Sequence, residues 1–153
     1  MRFLELRVPP PLVGLIVAVG MRTIAHIPPI LQLPTLVRVF GAAVLVTIGA
    51  AVAIGGVMSF RRARTTVNPL KPETSAALVS TGVYSFTRNP MYLGMALALL
   101  AWAVYLSSIW SLLGPLLFAL YITRFQIVPE ERVLDRLFGA SFAAYKARVR
   151  RWL

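Results

Sequence analysis

Residues 36–60 run for 25 positions with a single charge, Arg38, near their start. Such a stretch is long enough to cross the hydrocarbon core of a bilayer as a tilted helix. Three further apolar runs share its character, at residues 9–27, 90–106 and 109–127. The third, of 17 residues, stands near the lower limit for a span. With 58% hydrophobic and 14% charged residues, the chain has too little polar surface for a soluble domain of 153 residues. The expected fold is an all-α integral membrane protein forming one domain over residues 1–153. It has about four transmembrane helices and C-terminal interfacial amphipathic helices within residues 129–152.

The connections refine this outline. Pro9, Pro10 and Pro11 open the first run, and no small-residue cleavage site stands out after it, so no signal peptide is expected. Gly41, Gly49, Ala53, Gly55 and Gly56 give the second span small faces for close helix packing. Ser107 and Ser108 make a tight turn, so the last two spans form an antiparallel hairpin. Beyond Pro129 the periodicity changes. Glu130 and Glu131 open a short helix expected to end near Phe138, with Gly139 as its cap. Phe142, Tyr145, Val149 and Trp152 then recur at intervals of three and four, predicting a basic amphipathic helix along the membrane surface.

Charge sets the orientation and excludes some functions. Of sixteen Lys and Arg residues, only Arg22 and Arg38 flank one side; the others lie on or next to the side shared by the N-terminus, the loop at 59–89 and the C-terminal tail. By the positive-inside rule that side is cytoplasmic. The formal charge of +11 therefore reports topology and contact with anionic headgroups, and no nucleic-acid partner is expected. The absence of cysteine excludes disulfides, thiolate catalysis and cysteine-bound metal. His26 is the lone histidine, and no acidic cluster has ligand spacing, so no metal site is expected.

Chemical variety concentrates in residues 78–94, LVSTGVYSFTRNPMYLG. Gly82 allows a turn that a Cβ would resist, and Asn89–Pro90 predicts a helix starting at Pro90. Arg88, Tyr84 and Tyr92 cluster near that start, where free backbone N–H groups suit a carboxylate or phosphate. A simple juxtamembrane loop with interfacial tyrosines would look similar. The hairpin, however, brings Pro90 near the end of the last span and so near Arg124, Gln126, Glu130 and Glu131. First-turn glutamates also meet a helix dipole favourably, so that placement alone does not make them ligands. An anion site, aromatic faces, an apolar wall and carboxylates together fit S-adenosyl-L-methionine. No glycine-rich dinucleotide turn or phosphate-binding loop is present.

These residues resemble the signature of isoprenylcysteine carboxyl methyltransferases, LVxxGxYxxxRHPxYxG. The tail EERVLDRLFGASFAAYKARV is similar to the C-terminal block of the same enzymes, and related membrane phospholipid methyltransferases share the pattern. The resemblance covers the chain from about Pro69 onward; the first two spans match only in being apolar. It implies S-adenosyl-L-methionine held by Ala76, Ala77, Leu78, Val79, Tyr84, Asn89, Pro90, Met91, Tyr92 and Glu130, with Arg88 beside them. A substrate-facing arginine of that family falls on Gln126, with Arg124 close by. Asn89 replaces the usual histidine and cannot exchange a proton near neutral pH. Glu131 is the candidate base for an amine or hydroxyl acceptor. The acceptor would be a lipophilic or prenylated molecule entering from the membrane lipids, and the oligomeric state is unreadable. Two other readings are an NADPH-dependent sterol-type reductase, whose expected Arg-His-x-Asn-Tyr-x-Gly-Asp pattern is missing, and a non-catalytic adaptor binding anionic lipid.

Overall fold

The computed structural model describes residues 5–63 and 78–153. Five α-helices account for most of them: α1 (Pro10–Ile24), α2 (Thr35–Arg62), α3 (Pro90–Leu106), α4 (Leu113–Ile122) and α5 (Val128–Arg148). No strand forms among these residues. α1 and α3 begin on prolines, whose missing N–H falls where a helix has no partner to offer it. α3 ends at Ser107, in the left-handed conformation (φ 54°), with its N–H on the Ala103 and Val104 carbonyls. The Ser107 hydroxyl donates to the Leu31 carbonyl at 2.6 Å, fastening the proline-rich α1–α2 connection onto this turn.

The helices meet through glycines, aromatic rings and a few aliphatic side chains, and leave many large apolar side chains outside. α2 and α3 meet through glycines: a Cβ on Gly94 would stand 2.6 Å from the Gly49 carbonyl oxygen, and one on Gly56 would touch Pro90 at 3.0 Å. Only residues without a side chain let two backbones approach this closely. Gly49 and Gly56 therefore serve packing within the chain. α1 lies against α3 and α4, with the Trp102 indole donating to the Ala18 carbonyl at 3.1 Å and Phe118 fully buried. Leu15, Ile16 and Val19, Leu36 and Phe40, and Leu116, Leu117 and Leu120 remain exposed on α1, α2 and α4. An apolar exterior this extensive marks a surface that meets lipid or another protein. Two helical stretches are long and apolar enough to cross a membrane, α2 and a 39-residue run from Trp110 to Arg148. α1 and α3, with 15 and 17 residues, are shorter.

The C-terminal half departs from expectation in two respects. Pro129 does not interrupt the chain between the last span and the helix after it. A π-turn at Thr123–Ile127 joins α4 to α5 directly. The wider turn makes room for the proline ring, which would otherwise clash with a carbonyl four residues back. That carbonyl, on Phe125, instead accepts the Leu6 N–H at 3.0 Å. The partner lies near the other end of the sequence, out of reach of any local pattern.

The second departure concerns the apolar face of α5. Gly139 takes the positive φ (47°) expected of a cap, but the helix resumes after it. Phe142, Tyr145 and Val149 are buried against Leu78, Leu134 and Phe138 rather than laid on a membrane surface. The helix stops at Arg148, and Val149 is extended (φ −122°, ψ 130°). Trp152 thus leaves the helix, and its indole donates to Thr123 Oγ1 at 3.1 Å.

Candidate active site

The start of α3 and the start of α5 meet at one end of the bundle. Tyr92 lies in the first turn of α3, and its hydroxyl donates to Glu130 Oε1 at 2.5 Å. Burial pushes the Glu130 carboxyl up to about 8; Glu131 adds to the shift and the Tyr92 hydrogen bond opposes it. Beside this pair, Arg88 Nη2 lies 3.1 Å from Glu131 Oε1, both side chains being nearly buried. Arg88 Nε and Nη1 have no partner among the described residues. A buried guanidinium holding two unspent donors is costly unless something accepts from them.

The loop leading into α3 is ordered by backbone and tail contacts. Gly82 has φ 64°, and a short 3-10 turn spans Gly82–Ser85. Tyr84 is buried edge-on to Phe60, and its carbonyl accepts the Tyr145 hydroxyl at 2.7 Å. Asn89 precedes α3 without capping it; its Nδ2 donates to the Arg151 carbonyl at 2.8 Å. The residue in place of histidine therefore holds backbone. Pro90 is buried, Met91 sits beside it against Gly56, Leu78 packs against α5, and Val79 is buried next to it in the chain. Ala76 and Ala77 lie outside the described residues.

Three sequence-derived candidates stand apart from this cluster or do a different job within it. Arg124 bonds Glu5 at 2.9 Å on a half-exposed surface, and Glu5 also meets Arg132. Gln126 is fully buried, its Nε2 donating to the Val8 carbonyl at 2.7 Å, with Oε1 lacking a partner among the described residues. Glu131 has both oxygens engaged, one by Arg88 and both by the Arg151 fork (3.1 and 2.7 Å), and so is poorly placed to take a proton. Sequence reasoning missed Arg151, Tyr145 and the buried Thr87. Their positions depend on the tail folding back, for which spacing carried no signal.

A separate apolar groove of about 590 Å³ lies between α1 (Val13, Ile16, Val17) and α4 (Leu117, Leu120, Tyr121). Phe125 also lines it, and the Arg124 guanidinium lies over that ring at 5.3 Å.

These observations define a class: a helical bundle with apolar outer faces, carrying a compact carboxylate, phenol and guanidinium cluster at one end. Comparison with known proteins gives it a family. The phospholipid methyltransferase family model matches residues 37–141, more than half of the chain, and the chain belongs to that family. Membership makes methyl transfer by a membrane protein the general class of function. The match takes in most of α2, where the family resemblance in the sequence is limited to apolarity, and ends before Phe142. An uncharacterized protein of Haemophilus influenzae is 46% identical over 63 residues, which are 41% of this chain and the whole length of that protein.

Proposed function

We propose that the protein transfers a methyl group from S-adenosyl-L-methionine to a lipophilic acceptor at the cytoplasmic face of a membrane that it crosses four times. The carrying observation is the cluster at the starts of α3 and α5, which holds a partly buried carboxylate and a buried guanidinium with two unused donors. That donor set fits the cofactor. Arg88 suits its carboxylate, and Glu130 suits its ammonium or ribose hydroxyls. Leu78, Val79 and Met91 offer apolar surface to the base. When bound, S-adenosyl-L-methionine supplies a methyl already activated by the sulfonium, so the protein needs mainly to align and desolvate.

The chain's residues divide this work. Tyr92 fixes the Glu130 carboxylate, and Glu131 fixes Arg88. Among the described residues Asn89 cannot take a proton and Glu131 is ion-paired, while Glu130 is assigned to the cofactor. This favours an acceptor that reacts without losing a proton, such as a carboxylate, in keeping with the resemblance to isoprenylcysteine carboxyl methyltransferases. The groove between α1 and α4 would receive an alkyl or isoprenyl chain from the bilayer. Incubation with methyl-labelled cofactor and membrane extract is expected to label a lipid-soluble product; label confined to unreacted cofactor contradicts the proposal.

Arg124 supplies a separate check. It sits over Phe125 at the side of the groove and makes no contact with Glu130 or Arg88 among the described bonds. Arg124→Ala is expected to raise the acceptor KM severalfold while leaving S-adenosylhomocysteine affinity within about twofold, the limit usual for an exposed ion pair lost at a distance. The opposite pattern, checked by steady-state kinetics and calorimetry, moves Arg124 into the cofactor site.

A further inference from the structure

The segment after α5 reaches the cluster without belonging to the stretch matched by the family. Val149 is extended, and the residues after it lie across the loop before α3. The Arg88 N–H donates to the Arg150 carbonyl at 3.1 Å, and the Arg151 carbonyl accepts from Asn89 Nδ2 at 2.8 Å and from Thr87 Oγ1 at 3.4 Å. The Trp152 indole closes the far end on Thr123. These contacts hold the loop, and they also fix where the Arg151 guanidinium goes. It grips Glu131 with both Nε (3.1 Å) and Nη2 (2.7 Å), and Glu131 Oε1 in turn takes Arg88 Nη2 at 3.1 Å.

We propose that Arg151 is a positioning residue, which acts through Glu131 to hold Arg88 so that the unpartnered N–H groups of its guanidinium are free for the carboxylate of the cofactor. This rests on the function proposed above. A planar guanidinium gripping a carboxylate by two bonds fixes its orientation, which one flexible contact does not. Two guanidiniums share the single Glu131 carboxylate, so the group carries a surplus positive charge as well as two unused donors. An ion pair built only for stability needs one arginine, and it gains nothing from burying a second with its donors unspent. A small anion arriving at Arg88 would balance both the charge and the hydrogen bonds. Asn89 belongs to the same device, because its amide holds the backbone from which Arg151 projects.

The test is calorimetric titration of the full chain in lipid nanodiscs, for the wild type, Arg88→Ala, Arg151→Ala and the double variant. Two probes are used: S-adenosylhomocysteine, and 5′-methylthioadenosine, which lacks the amino-acid carboxylate. Each single substitution is expected to weaken S-adenosylhomocysteine about tenfold, and the double variant to bind no more weakly than Arg88→Ala alone. Methylthioadenosine should bind all four proteins alike. Should Arg151→Ala not fold, Arg151→Lys, which keeps the charge and loses the fork, carries the same comparison. Additive losses, equal losses for both probes, or unchanged binding in the Arg151 variant overturn the positioning role. Wild-type protein that binds neither probe overturns the proposed function, and this inference with it.

Discussion

Replacing Glu130 by Gln is expected to weaken S-adenosylhomocysteine about tenfold to a hundredfold while stabilising the ligand-free protein at alkaline pH. The range follows from hydrogen bonds to charged groups, worth about 1.5–3 kcal/mol each. The opposite sign for the empty protein follows from burial. The folded carboxyl is raised from an ordinary value of 4.5 to about 8, so the folded state favours the protonated form. Its contribution to stability is intact below about pH 4.5 and is lost as pH rises through the window up to about 8. A glutamine carries no such penalty. Melting curves of the two proteins should therefore coincide near pH 4.5 and separate above it, with the variant melting higher.

Binding should show the linked effect. A cationic ligand favours the ionised carboxylate, so cofactor affinity of the wild type should rise with pH up to about 8, with release of a proton. The Glu130→Gln variant should lack that slope, which separates the protein's titration from that of the ligand's own amine. A variant with reduced affinity and reduced stability throughout would mean that Glu130 is a packing residue. Unchanged affinity would remove it from the cofactor site.

Gly94→Leu is expected to cause a large loss of stability. A Cβ at that position meets the Gly49 carbonyl oxygen at 2.6 Å and the Ala53 Cβ at 2.8 Å, and the first of these is backbone that no rotamer change can move. Overpacking of a tight interior costs about 1–3 kcal/mol and sometimes more. Here α2 and α3 must separate along a contact that also includes Gly56 and Pro90. Since Pro90 starts the helix that carries Tyr92, the same shift should pull Tyr92 off Glu130 and weaken cofactor binding. Gly20→Ala is the control: nothing lies within 4 Å of its added Cβ, and helix propensity alone predicts a gain of up to about 1 kcal/mol. Thermal unfolding in detergent distinguishes them. If Gly94→Leu melts with the wild type, the close approach of α2 and α3 is absent in solution.

The parts of this fold visible in the sequence are those governed by local chemistry. Hydropathy and prolines located α2 to within two residues of its expected bounds of 36–60, and α3 at 90–106 as expected. The short turn at Ser107 and Ser108 implied the hairpin, and the hairpin implied that Tyr92 and Glu130 stand at the same end of the bundle. What escaped depends on distant partners. Pro129 looks like a break because nothing nearby reveals that Leu6 will satisfy the Phe125 carbonyl. Phe142, Tyr145 and Val149 have the same spacing whether they face lipid or protein, and the presence of Leu78 and Phe138 decides the matter. Arg151 looks like one more basic residue in a basic tail until the chain turns at Val149 and lays it on Glu131. The identity of the acceptor is hidden for a related reason: an apolar groove of aliphatic side chains is compatible with many lipids.

The most direct measurement is calorimetric titration of the purified protein with S-adenosylhomocysteine, in detergent and again in lipid. One saturable site per chain, weakened in the Glu130→Gln variant but retained in Arg124→Ala, is the predicted result. Absence of binding heat in both environments, from protein whose melting transition shows it to be folded, would contradict the assignment of the cluster around Tyr92, Arg88 and Glu130 as a methyl-donor site.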